Sequence, residues 1–125
     1  MRKYTDEQLD REVLFLLKLH TGKHNPVGRW EMVIRIYGDD AILPQTNDNM
    51  ADRQIRESIA RLRTSGVLVC DMGDGSGRFL AMSLDEYQAF RLKYGGRAYE
   101  VLETLREMDK AARQIWPDVL QPRLI

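Results

Sequence analysis

Between residues 53 and 63 stand Arg53, Gln54, Arg56, Glu57, Arg61 and Arg63, four guanidinium groups against a single carboxylate. A guanidinium can pair with guanine O6 and N7 or with a phosphate, and a Gln amide with adenine, so this cluster has the chemistry to read a duplex. The same charges also suit a helix face that meets only water. Arg78, beyond a Gly-rich turn, could add a contact to the phosphate backbone, or belong to a plain hairpin that covers a core. Other constellations are poorer. His20 and His24 are four apart, a metal-binding spacing on a helix, but Thr21-Gly22 interrupts it and Cys70 is the only cysteine. Asp39, Asp40, Asp48 and Asp52 are the candidates for a metal-dependent nuclease, yet they lie in a breaker-rich stretch where Asp commonly caps or turns. Gly73, Gly75 and Gly77 suggest a phosphate cradle, but such a loop should feed a helix N-terminus and this one feeds a strand. Asp71 and Asp74 lack the spacing and terminal Glu of a calcium loop. No catalytic residue, cofactor or metal is expected, and no enzyme.

An amphipathic helix must hold the arginines. At about 100° per residue Ile55, Ile59 and Leu62 share a narrow arc with Ala51 at its edge, and this stripe must face a core. Opposite lie Arg53, Gln54, Glu57, Arg61 and Thr64, with Arg56 and Arg63 one above the other on a flank. Gly66 then ends the helix. Val67-Leu68-Val69-Cys70 and the run from Phe79 to Met82 are β-prone, and the intervening 71–77 stretch is turn chemistry, so a hairpin follows. Upstream, Thr5 and Gln8 have the spacing of a capping box, and Leu9, Val13, Leu16 and Leu17 recur on one face, which predicts a helix over 6–20. Trp30, Val33, Ile34 and Tyr37 predict a second helix, stopped by Gly38. The expected fold is mainly α with a small β-hairpin: a winged helix-turn-helix domain over 1–82, followed by a C-terminal amphipathic helix. The 38–49 connection is long for the turn of such a domain. An ordered insertion and a mobile loop both fit it.

Several of these residues together resemble a known group. Trp30 through Tyr37, Asn47-Asp48-Asn49, Asp52-Arg53 with Ile55-Arg56, Ile59, Leu62-Arg63 and Gly66-Val67, the Gly-rich turn, and Ser83 with Glu86-Tyr87 look like small winged-helix proteins of phages and prophages. The match covers roughly residues 10 to 116 and its motif is mostly structural. The resemblance implies a DNA-binding protein that serves regulation or replication of the element. Arg53, Arg56 and Arg63 occupy the matching positions of the recognition helix, while Gln54 and Arg61 fall at variable ones. The long 38–49 connection departs from the shortest members of the group.

After the hairpin the chain changes style. Ser83 and Glu86 form a second capping-box spacing that opens a helix carrying Tyr87, Phe90 and Tyr94. Gly95-Gly96 costs about 2 kcal/mol relative to two alanines, so a bend or break is expected there. Ala98, Val101, Leu105, Met108, Ala112 and Ile115 then step by three and four, a heptad seam suited to dimerisation or to packing on the chain's own domain. Trp116-Pro117 closes the helix, and the 118–125 tail is expected to be loose.

Composition restrains these expectations. With 19 basic and 19 acidic residues the 125-residue chain carries no net charge, so attraction to polyanions must be local. The 53–63 cluster is basic, whereas 38–52 carries four Asp and no basic residue. A lone cysteine on a strand suits a small core residue in a reducing cytoplasm. No apolar run has the length of a membrane span, and the start lacks the apolar stretch of a signal peptide. The expected partners are double-stranded DNA and a second copy of the chain, with a replication or regulatory protein as a further candidate. An adaptor that uses the same fold to hold another protein is the alternative.

Overall fold

The structure, a computed structural model, describes residues 2–117. It divides into a first unit through Phe90 and a second from Arg91. In the first unit three helices precede a hairpin: α1 (Asp6–Lys18), α2 (Arg29–Tyr37), α3 (Met50–Thr64), β1 (Val69–Asp71) and β2 (Arg78–Leu80). The capping box forms at the start of α1. Thr5 Oγ1 accepts from the Gln8 amide, and the Gln8 side chain accepts from the Thr5 amide. Leu19 rather than His20 caps the other end, and His20 Nδ1 lies 3.0 Å from the Asn25 carbonyl, holding the following turn.

The core forms where the three stripes meet. Leu9, Val13, Leu16 and Leu17 from α1 pack with Ile55, Ile59 and Leu62 from α3. From α2 the buried residues are Met32, Val33 and Ile36, not the expected Trp30, Ile34 and Tyr37. Ile34 is exposed, while Trp30 and Tyr37 stand at the rim, where their polar or π surfaces meet neighbours. The Tyr37 hydroxyl donates to Gln54, and the Arg29 guanidinium lies over the Trp30 ring. Periodicity located the helix but misjudged its phase, because amphipathic aromatics prefer a boundary to the centre.

The hairpin pairs Val69 with Leu80, Cys70 with Phe79 and Asp71 with Arg78, a shorter ribbon than the apolar runs suggested. Phe79 and Cys70 are buried, and burial pushes the Cys70 thiol pKa up. The free edge of β2 is not left open. Residues 20–27 run beside it, with bonds from the Gly22 amide to the Leu80 carbonyl and between Val27 and Arg78 in both directions. Gly77, at φ 125°, makes this approach fit: a β-carbon there would stand 2.2 Å from the Val27 carbonyl oxygen.

The 38–49 connection is folded and packed rather than a loose loop. Gly38 at φ 101° ends α2, a 3-10 turn spans Asp39–Ile42, and Ala41 and Ile42 pack against the core. Asn49 ties it to α3. Its side-chain oxygen caps the Asp52 amide, and its amide nitrogen donates to the carbonyls of Ala41 and Pro44.

Helix α4 (Leu84–Ile115) begins in the first unit and continues through the second. Ser83 Oγ accepts from the Glu86 amide, but the Glu86 carboxylate turns to the amides of Met82 and Lys23 instead of closing a reciprocal box. These bonds join the first turn of α4 to the hairpin unit, so the first unit runs past the expected end at Met82. The expected break at Gly95-Gly96 is absent, and the helix is continuous there. Helix growth is cooperative, and interrupting it would leave carbonyls and amides on both sides without partners. No residue of α4 is buried. The tail beyond Pro117 lies outside the described residues. No described helix is long and apolar enough to cross a membrane.

Candidate nucleic-acid interface

The arginines of α3 divide according to the partner each one finds. Arg61 turns toward α1. Its Nε and Nη2 reach Asp10 at 2.8 to 3.1 Å, the Ser58 hydroxyl donates to the same carboxylate at 2.6 Å, and Asp6 stands 3.7 Å away. Burial works to raise the Asp10 pKa, but the bonds from Arg61 and Ser58 outweigh it and hold the carboxyl below its ordinary value. Arg63 turns toward the hairpin, donating to the Val69 carbonyl at 2.9 Å with Asp71 3.6 Å away, and its guanidinium lies 5.0 Å from the Phe90 ring centre. Gln54 accepts from the Tyr37 hydroxyl. Arg78, expected on the surface of the hairpin, runs inward so that its Nη1 reaches the Met32 sulfur at 3.5 Å. Desolvation pulls its pKa down, against the nearby Asp52 carboxylate.

Arg53 and Arg56 stay outside. Arg53 has one loose ion pair, 3.8 Å to the exposed Asp48, and its side chain is 48% exposed. Arg56, 41% exposed, is fixed at one edge: Nε donates to Asp52 at 2.9 Å and Nη2 to the Asn47 carbonyl at 2.8 Å. A guanidinium carries five N–H donors, so donors remain on its solvent side.

Asp52 organises this corner. It is fully buried one helical turn before Arg56, and it also receives Nε and Nη2 of Arg29 at 2.9 and 2.7 Å. Arg29 donates further to the Asn47 side chain at 2.8 Å. Burial, the largest single influence on Asp52, favours the neutral acid, yet the bonds from Arg29 and Arg56 prevail and its pKa is lowered. The pairing in turn raises the Arg29 pKa, chiefly through the hydrogen bonds that Arg29 donates to Asp52. Two guanidiniums on one carboxylate leave a positive excess where α2 and α3 begin, and Arg53, set against Asp48, stands about one turn before Arg56 on α3.

The sequence-level cluster named Arg53 and Arg56 but not Arg29, Asn47 or the anchoring part of Asp52. One signal pointed to it: Asp52 lies on the buried arc of α3 with Ile55, Ile59 and Leu62, and a carboxylate there needs a cation. Ser58 shares that arc and betrays the Asp10 pair in the same way. Among the described residues no group of three or more His, Cys, Asp or Glu could hold a metal. The chain matches no family model, no curated protein and no solved structure.

Proposed function

We propose that the protein binds double-stranded DNA as a winged helix-turn-helix protein, in regulation or replication of a phage-like element. In this reading α3 is the recognition helix, Arg53 and Arg56 contact the duplex and Arg29 meets the adjoining backbone. The observation that carries it is the outward pair on α3, of which Arg56 is pre-positioned: Arg53 and Arg56 keep 48% and 41% of their side-chain surface while a buried carboxylate fixes Arg56. Donors held in place before binding lose less conformational freedom when a phosphate or base arrives. Arg61, Arg63 and Arg78 become structural in this reading, since each faces protein.

Arg53→Ala is the clean test, because Arg53 supports nothing in the core. We expect its affinity for duplex fragments, read by fluorescence anisotropy at about 50 mM salt, to fall about 10-fold with thermal melting unchanged. Arg56→Lys keeps a charge near Asp52 and should also weaken binding, by removing the forked donor. Full affinity in both variants overturns the proposal.

A protein-docking role is the second reading, favoured by the outward face of α3 itself. Glu57, Ala60 and Thr64 are exposed beside Arg53, an assortment with little net charge. That role requires no measurable duplex binding at about 50 mM salt, where phosphate contacts are strong, together with a stable complex with a protein partner.

A further inference from the structure

We infer that the cleft between the start of α2 and the base of the hairpin binds one hydrogen phosphate ion, held by Arg29 and Arg78, with Asp71 accepting a hydrogen bond from its hydroxyl. This is independent of the nucleic-acid reading, because a duplex phosphodiester has no hydroxyl to offer. The cleft lies within the first unit, measures about 170 Å³, and is lined by Arg29, Asp71, Gly75, Gly77 and Arg78. Pockets for drug-sized ligands begin at about 300 Å³, so this one suits a small ion.

Arg78 is the group that calls for a ligand. Its one side-chain hydrogen bond runs from Nη1 to the Met32 sulfur, a weak acceptor, and it forms no ion pair among the described residues. Every fully enclosed side-chain nitrogen or oxygen among those residues has a partner. Nε and Nη2 of Arg78 have none, so they meet solvent, and the cleft that Arg78 lines is their opening. Desolvation pulls the Arg78 pKa down, which is the cost of holding a cation away from water without a counterion. An anion in the cleft offsets that cost. Arg29 adds a second fork: Nε and Nη2 are taken by Asp52 and Asn47, which leaves Nη1 without an acceptor.

The charges nearby leave room for an anion. Those that act on Arg78 are Asp52, Asp71, Arg63 and Arg29. Both carboxylates are already paired, Asp52 with Arg29 and Arg56 and Asp71 with Arg63, so four cations stand against two anions. Asp71 then decides which anion fits. Its Oδ1 accepts from the Gly73 amide and its Oδ2 stands 3.6 Å from Arg63, but each carboxylate oxygen has two lone pairs, so accepting capacity remains. A carboxylate at this position repels an oxyanion without a proton, such as sulfate, and receives a hydrogen bond from one that has a proton. Hydrogen phosphate keeps at least one P–OH near neutral pH. The objection to a phosphate cradle at 73–77 concerned a loop that feeds a helix N-terminus; here the holding groups are side-chain cations.

The experiment titrates the full chain with inorganic phosphate, sulfate and dimethyl phosphate at constant ionic strength, by calorimetry and by NMR of backbone amides and Arg Nε groups. Phosphate should bind with a dissociation constant of about 1 mM, and sulfate and dimethyl phosphate about 10-fold more weakly, since each lacks the hydrogen bond to Asp71. Shifts should centre on Gly75, Gly77 and Arg78 Nε. Arg78→Gln should weaken phosphate binding about 10-fold or more. Asp71→Asn leaves the packing of Arg78 untouched and, by exchanging an acceptor for a donor, should bring sulfate level with phosphate. No saturation by about 20 mM phosphate, equal binding of sulfate or dimethyl phosphate by the unsubstituted protein, a phosphate preference that survives Asp71→Asn, or shifts centred outside the cleft overturns the proposal.

Discussion

A single carboxylate sets the positions of two arginines, Arg29 on α2 and Arg56 on α3. Asp52 is sealed in the core and holds Arg29 and Arg56, so removing its charge should affect both stability and position. Breaking a fully buried pair costs about 3–5 kcal/mol, and because both arginines keep solvent contact we expect about 2 kcal/mol for Asp52→Asn, read by denaturant melting. The pH dependence has a definite sign. Asp52 and Asp10 both have folded-state pKa values below those of the unfolded chain, so their stabilisation is complete above the ordinary carboxylate range near pH 4 and disappears as pH falls through the folded values. The melting temperature should therefore drop on acidification below about pH 4, and drop less steeply in Asp52→Asn. An equal slope in the variant would show that Asp52 does not carry the effect.

At the scale of elements, the glycines separate two kinds of constraint. Gly77 is pressed against the Val27 backbone, so Gly77→Ala should cost about 2–3 kcal/mol or disrupt the hairpin. Gly75 also has positive φ but open space around it, so Gly75→Ala should cost about 1 kcal/mol, from backbone strain alone. Gly95 and Gly96 lie in a helix with nothing near a new β-carbon, and replacing each by Ala should add about 1 kcal/mol of helix stability, seen as greater ellipticity at 222 nm and a higher melting temperature. Loss of helicity would mean that the glycines serve a close approach. The helices and hairpin were legible because they depend on local periodicity, capping and turn chemistry. What escaped was long-range. Nothing local says that Arg61 will meet Asp10 from α1, or that residues 20–27 will line β2. The phase of α2 failed for a related reason, since the difference between rim and centre depends on what lies opposite.

For the whole molecule, zero net charge turns the DNA proposal into a quantitative expectation. With two or three phosphate contacts from Arg29, Arg53 and Arg56, the logarithm of affinity should fall with that of salt at a slope of about −2 to −3, a loss of about 10- to 40-fold between 50 and 200 mM. A much steeper slope would require basic groups other than these three. The backbone bonds that join 20–27 to β2 have a different bearing on the first unit. Its second strand is gripped on both sides, by β1 and by a segment that precedes α2. A protease that nicks the exposed 73–76 tip would cut the covalent path between the ribbon's halves while leaving the grip that keeps them together. The severed pieces should elute as one species under native conditions and part only in denaturant.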